Sequence, residues 1–157
     1  MRETARLLVI DDDESVTKAY TAALEAEGYA VEVAQNGKEA IQKSDTRFYN
    51  LALIDIRLPD MDGVKLLTAM RETTPKMVKI IITGYPSVQN AIVAVNKDAN
   101  AYLLKPLNID NVLNTIEEQL KKQRETRKYS EEKVTEFIET RARELEEETP
   151  TTNKKLR

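Results

Sequence analysis

The sequence predicts an α/β fold built on a doubly wound, five-stranded parallel sheet, extended at its C-terminus by a long helix. Three observations carry that prediction. Short apolar runs alternate with segments of helical period, and three of those runs are almost wholly apolar, as strands buried on both faces should be. Glycine and proline punctuate only the first part of the chain, with neither between Pro106 and Pro150. Charge divides at the same place: residues 1–120 carry 13 basic and 18 acidic side chains, residues 121–157 carry 11 and 9, so a globular part gives way to a polar helical part.

In chain order, Leu7 to Ile10 is the first strand, and Val16, Ala19, Tyr20, Ala23 and Leu24 then follow helical spacing. Glu27-Gly28 reads as a helix end before the second strand, Ala30 to Ala34, and Asn36-Gly37 as a turn or cap after it. Leu51 to Ile54 is the third strand, followed by the helical set Val64, Leu67 and Met70. Val78 to Ile82 and Ala101 to Leu104 complete the sheet, separated by a helix with Val88, Ala91, Ile92 and Val95 on one face. Ile109, Val112, Leu113, Ile116 and Leu120 open the last helix.

Composition narrows the chemistry. A length of 157 residues fits one domain with a modest extension. The absence of cysteine and histidine excludes disulfides, thiolate or imidazole metal sites, a serine-histidine triad and a phosphohistidine on this chain. Any metal must be held by oxygen, which favours Mg2+, Mn2+ or Ca2+. A net charge of -3 gives no support to a nucleic-acid partner. No apolar run approaches the roughly 20 residues of a membrane span and the opening Met-Arg-Glu-Thr has no signal-peptide core, so the expected compartment is the cytoplasm.

The polar residues that follow the strands point to one site. Ile10 runs into Asp11, Asp12, Asp13 and Glu14; Ile54 into Asp55; Ile82 into Thr83; Leu104 into Lys105. Ligands of open parallel sheets bind outside the carboxyl ends of the strands, where strand order reverses. If the order is 2-1-3-4-5, the first and third strands are neighbours, and Asp11 and Asp12 face Asp55 across the crevice. Unit charges about 4 Å apart repel by about 4 kcal/mol at an effective dielectric near 20, so such a cluster calls for a cation or a proton. Mg2+ suits oxygen ligands and an incoming phosphoryl group, which makes Asp55 a candidate nucleophile forming an acyl phosphate. Lys105 is then a point charge for a phosphoryl oxygen and Thr83 a hydroxyl donor. Each residue alone has a plainer reading: the acids after Ile10 as an N-cap and acidic first turn, Asp55 as a turn residue, Thr83 as a cap, Lys105 as a solvated charge. Their placement at successive strand ends of one sheet favours the joint site.

At this point the sequence resembles the receiver domain of two-component response regulators, of the chemotaxis-regulator type, over about residues 5–122. The resemblance rests on Leu8-Val9-Ile10-Asp11-Asp12-Asp13, on Leu53-Ile54-Asp55-Ile56-Arg57-Leu58-Pro59-Asp60-Met61-Asp62-Gly63, on Ile81-Ile82-Thr83-Gly84-Tyr85 and on Ala101-Tyr102-Leu103-Leu104-Lys105-Pro106, in that order. It implies the flavodoxin-like receiver fold with sheet order 2-1-3-4-5. It also implies Asp55 as phosphoacceptor and a metal held by Asp11, Asp12, Asp55 and the Arg57 backbone carbonyl, with Thr83 and Lys105 on the phosphoryl group. Tyr102 would be the aromatic switch, Arg57 and Tyr85 would tune phosphoryl lifetime, and the Lys105-Pro106 peptide would be cis. One departure is Asp98, where the family commonly has glycine; an aspartate there enters the left-handed region at some cost. A haloacid-dehalogenase-type phosphatase would want an acid at Arg57, and a flavodoxin-like binder would want hydroxyls where this chain has four acids.

The resulting organisation is a receiver over 1–122, a helical extension with coiled-coil character over 123–148 and a disordered tail over 149–157. No breaker falls between Ile109 and Glu148, enough for a helix of about 60 Å. A heptad frame through Leu113, Ile116 and Leu120 passes Gln123, Arg127 and Ser130 before Val134 and Phe137, so its seam is interrupted; Ser130 with Glu131 and Glu132 is the alternative start of a second helix. The length leaves no room for a DNA-binding output domain. The expected function is a phosphoacceptor, not an enzyme in its own right, that takes phosphate from a sensor histidine kinase or phosphotransfer protein with Mg2+ and signals through protein contacts. Those contacts include self-association through the fourth and fifth helices or the C-terminal helix. The alternatives are a phosphate-independent scaffold using that helix, or the N-terminal fragment of a larger regulator.

Overall fold

The computed structural model describes residues 4–84, 87–105 and 108–156. Five strands, β1 (Arg6–Ile10), β2 (Ala30–Ala34), β3 (Leu51–Asp55), β4 (Val78–Thr83) and β5 (Ala101–Leu104), alternate with α1 (Glu14–Ala26), α2 (Gly37–Thr46), α3 (Gly63–Ala69), α4 (Val88–Asn96) and α5 (Ile109–Leu156). The strands form one parallel sheet in the order β2-β1-β3-β4-β5. The order reverses at β1, whose two neighbours are β2 and β3, so the crevice between the ends of β1 and β3 is the switch point.

Successive strand residues point to opposite faces, and the sheet uses both. Leu8, Ile10, Ala52, Ile54 and Ile81 pack under α2, α3 and α4, with Ala40, Leu66, Leu67 and Ala94 above them. Leu7, Val9, Leu53, Ile80 and Ile82 pack against α1 and the first turns of α5 through Tyr20, Leu24, Val112, Ile116 and Leu120. This two-sided burial is why β3 and β4 are buried along their whole length. Each buried Leu, Ile or Val among them contributes roughly 1.5–3 kcal/mol relative to exposure.

Local chemistry sets the ends of the elements. The Asp13 carboxylate caps α1 by accepting from the N–H groups of Ser15 and Val16, and Asn36 caps α2 by accepting from Glu39 N–H at 2.8 Å. Gly28 ends the turn after α1 with φ +93°, a conformation that glycine adopts without a Cβ penalty. Asp98 has φ +65° in the turn before β5, as the sequence departure there implies.

Three features differ from the sequence expectation. The segment Ala91 to Val95 is apolar throughout, so its period does not select a face. The structure buries Ala94 and packs Val93, while Ile92, expected inside, is 54% exposed. Nor does Ser130 begin a separate helix, because α5 is continuous through it. Helical backbone also runs on across Pro150 to Leu156, over residues expected as a disordered tail. The chain divides into two compact units, Met1–Lys121 and Lys122–Arg157.

Candidate phosphoacceptor and metal site

Four strand ends meet at the switch point. Asp11 follows β1 directly, its N–H bonded to the Ala34 carbonyl at 3.1 Å. Asp55 ends β3 in register with Ile82 of β4, and the next N–H, of Ile56, reaches the Ile82 carbonyl. Thr83 ends β4, fully buried, and its carbonyl accepts from Lys105 N–H at 2.8 Å. Lys105 leaves β5 and sends its side chain across the end of β4, placing Nζ 3.2 Å from an Oδ of Asp11 and 3.3 Å from an Oδ of Asp55.

Asp11, Asp12 and Asp55 each offer a carboxylate oxygen, and these three oxygens lie within 4.8 Å of one another. Asp11 is buried, Asp55 is 9% exposed and Asp12 is exposed, so the cluster opens to solvent on one side. Burial raises the Asp11 carboxyl above its ordinary pKa, and the charge of Asp55 adds to the rise; the bond from Asp13 N–H and the ammonium of Lys105 oppose it. For Lys105, burial works against the charged form, but the two carboxylates outweigh it and hold the ammonium above its ordinary pKa. Each pair of full charges at this spacing repels by about 3–4 kcal/mol at an effective dielectric near 20. One ammonium against three carboxylates leaves an excess of negative charge, and oxygen-only donors with one open side fit a hard divalent cation that keeps waters.

The loop after β3 holds Asp55 in place. Arg57 N–H donates to an Asp55 Oδ at 3.2 Å, Gly63 N–H donates to the Ile56 carbonyl at 2.8 Å, and Arg57 bridges Asp62 across the loop. Asp62 caps α3 through Val64 N–H. Asp60 reaches further, accepting from Gly37 N–H at 2.8 Å and Lys38 N–H at 2.9 Å at the start of α2. Sequence reasoning placed Asp60 and Gly63 in this loop without giving them a task; the Asp-Met-Asp-Gly run was the available signal.

Tyr102 lies on the sheet face shared with Ile81 and Thr83 and packs against the α3 and α4 side of the core. Its hydroxyl is buried and has no hydrogen-bond partner among the described residues. Tyr85 and the Lys105-Pro106 peptide lie outside the described residues. The structure therefore brings together Asp11, Asp12, Asp55 and Lys105, with Thr83 and Arg57 at adjacent strand and loop positions.

Residues 7–117 match the response regulator receiver domain family. The chain belongs to that family. Among proteins, this receiver domain is similar to the transcriptional regulatory protein ZraR of Escherichia coli O157:H7, 37% identical over 114 residues, which cover 73% of this chain and 26% of ZraR. The chain thus spans about a quarter of the length of that relative. Among structures, it resembles a CheY-like receiver domain protein from Methanospirillum hungatei JF-1 at 40% identity and a TM-score of 0.76, covering 79% of this chain and 99% of that one. It also resembles a Burkholderia pseudomallei response regulator crystallised with a phosphorylated aspartic acid, calcium ion and citrate, at 30% identity and a TM-score of 0.63, covering 75% of this chain and 72% of that one. Receiver domains are signalling proteins rather than conventional enzymes. They bind Mg2+ at an acidic pocket and interact with histidine kinases or phosphotransfer proteins. No helix among the described residues is long and apolar enough to cross a membrane.

Proposed function

We propose that this receiver accepts a phosphoryl group on Asp55 from the phosphohistidine of a sensor kinase or phosphotransfer protein in the cytoplasm, and passes the signal on through protein contacts. The observation that carries this reading is the convergence of Asp55 with Asp11, Asp12 and the Lys105 ammonium at one switch point. In the transfer, an Asp55 Oδ attacks phosphorus in line, the phosphorus–nitrogen bond of the donor breaks, and the imidazole leaves with the electron pair and takes up a proton. The product is an acyl phosphate on Asp55.

Asp11, Asp12, Asp55 and the Arg57 carbonyl are the residues that would hold Mg2+, or Mn2+ in its place. When bound, that ion neutralises phosphoryl charge that a bare acidic pocket would repel. Lys105 exchanges a carboxylate oxygen for a phosphoryl oxygen, a change of partner that needs no change of protonation. Thr83 donates its hydroxyl to the phosphoryl group, drawing the end of β4 toward Asp55. Tyr102, on the same sheet face with a buried hydroxyl that has no partner among the described residues, is the residue that answers that movement; an unmade hydrogen bond of this kind costs about 1–3 kcal/mol, enough to bias a two-state rotamer. Arg57 and Tyr85, each two residues beyond a site residue, set how long the acyl phosphate lasts.

Borohydride reduction tests the assignment of the acceptor. It converts an aspartyl phosphate to homoserine, so peptide mass mapping of phosphorylated and then reduced protein is expected to find homoserine at position 55. Homoserine at position 11 or 12 instead would reassign the acceptor. A phosphate-independent scaffold would bind its partners equally well before and after phosphodonor treatment.

A further inference from the structure

The unit Lys122–Arg157 carries a strip of apolar surface: Val134, Phe137, Ile138 and Leu145 are each between 48% and 71% exposed. Val134, Ile138 and Leu145 lie on one helix face, and Phe137 flanks it. Charged residues continue that face at alternating steps of three and four, with Arg124, Arg127 and Glu131 before Val134 and Arg141 and Glu148 interleaved after it. This face shares Arg127 and Val134 with the expected heptad frame but runs through Arg124, Glu131 and Ile138 in place of Gln123, Ser130 and Phe137.

We infer that this face pairs with the same face of a second copy of the chain, antiparallel and centred on Glu136. Charge selects both the occupant and the direction. In a parallel, in-register pair each seam residue meets itself, so Arg124, Arg127, Glu131, Arg141 and Glu148 all form like-charge layers, which are destabilising. In the antiparallel pair, residues equidistant from Glu136 face each other. Arg124 then meets Glu148, Glu131 meets Arg141 and Val134 meets Ile138, while Leu145 lies along the aliphatic stem of Arg127. No layer joins like charges.

The wider charge pattern agrees. Residues 122–133 hold five basic and three acidic side chains, and residues 136–148 hold six acidic and two basic, so reversing one copy lays the basic half on the acidic half. The ion pairs Arg127–Glu131, Lys133–Glu136 and Arg141–Glu144 also run with the base first. For the i,i+4 pair Arg127–Glu131 that order is the less favourable one in a lone helix.

This association does not depend on Asp55, and its test uses the unphosphorylated full chain. The protein has no cysteine, so Arg127→Cys and Leu145→Cys each introduce a unique thiol. Mixed in equal amounts and mildly oxidised, the two variants are expected to form a disulfide between positions 127 and 145, while neither variant alone links to itself. Self-linking by either variant would establish a parallel pair and overturn the inference. So would a monomer of 17.9 kDa in light scattering up to about 0.5 mM, or a dimer that forms no 127–145 link. As a second readout, Glu131→Arg or Arg141→Glu is expected to weaken the dimer about tenfold, and the double reversal to restore it. Failure of the double variant to recover would also overturn the pairing.

Discussion

A Cβ atom on Gly63 would stand 2.3 Å from the carbonyl oxygen of Asp55 and 2.9 Å from the Cα of Ile56. The first residue of α3 thus lies directly against the backbone that carries the candidate acceptor, and both atoms in the way are main chain. Gly63→Ala must displace one or the other. It is expected to destabilise the fold by about 1–3 kcal/mol and to slow phosphorylation as the Asp55 carboxylate moves, readable from urea midpoints together with phosphodonor uptake.

Asp11→Asn should stabilise the fold while impairing the site. Burial first, and the neighbouring Asp55 charge with it, raise the Asp11 carboxyl. A raised folded-state pKa contributes stability below the unfolded value, near 3.8, and that contribution is lost as pH rises through the folded value. At neutral pH the wild type therefore carries a cost that the variant lacks. The variant's advantage in urea midpoint should grow as pH rises from about 3.8. Mg2+ at a hundredfold excess over its dissociation constant should stabilise the wild type by about 2.7 kcal/mol and the variant far less.

The opposite sign holds for Asp60. Bonds from the N–H groups of Gly37 and Lys38 lower its pKa, so its contribution is present above the unfolded value and lost as pH falls through the folded one. Asp60→Ala is expected to lower the denaturation midpoint at pH 7, with wild type and variant converging in acid. A difference that persists unchanged at low pH would contradict the carboxylate as the anchor of this loop.

Lys105→Met removes the cation between Asp11 and Asp55. The Lys105 side chain is 29% exposed, so the loss is expected at about 1–3 kcal/mol, below that of a fully buried pair. Because the Lys105 pKa is raised, its stabilisation is complete below the ordinary lysine value and disappears as pH rises through the folded one. Thermal scans of the two proteins should therefore differ at pH 7 and approach each other in strong alkali.

Much of this architecture is legible in the sequence because burial on both faces leaves a plain mark. The β2 and β5 segments appear with the bounds that their apolar runs give, and β1, β3 and β4 differ by a single residue at one end. The polar residues after four strands locate the crevice, since strand ends in a parallel sheet share one edge. Side-chain facing on α4 was not legible, because five consecutive apolar residues have no period and only the sheet beneath selects Ala94 over Ile92. The work of Asp60 and Gly63 was hidden for another reason: a carboxylate spanning 22 and 23 positions to Lys38 and Gly37, and a backbone pressed against Asp55, are long-range contacts that turn chemistry alone does not announce. The continuity of α5 was obscured by Ser130 and Pro150, whose local preferences yield to a helix already propagating.

The proposed chemistry is acyl phosphate formation on Asp55. Its most direct test is the intact mass of wild type and Asp55→Asn after incubation with acetyl phosphate or phosphoramidate, with and without Mg2+. A gain of about 80 Da that requires both Mg2+ and Asp55 is the predicted result. A gain of the same size in Asp55→Asn, or none in folded wild type with either small donor or a phosphorylated histidine kinase, would contradict it.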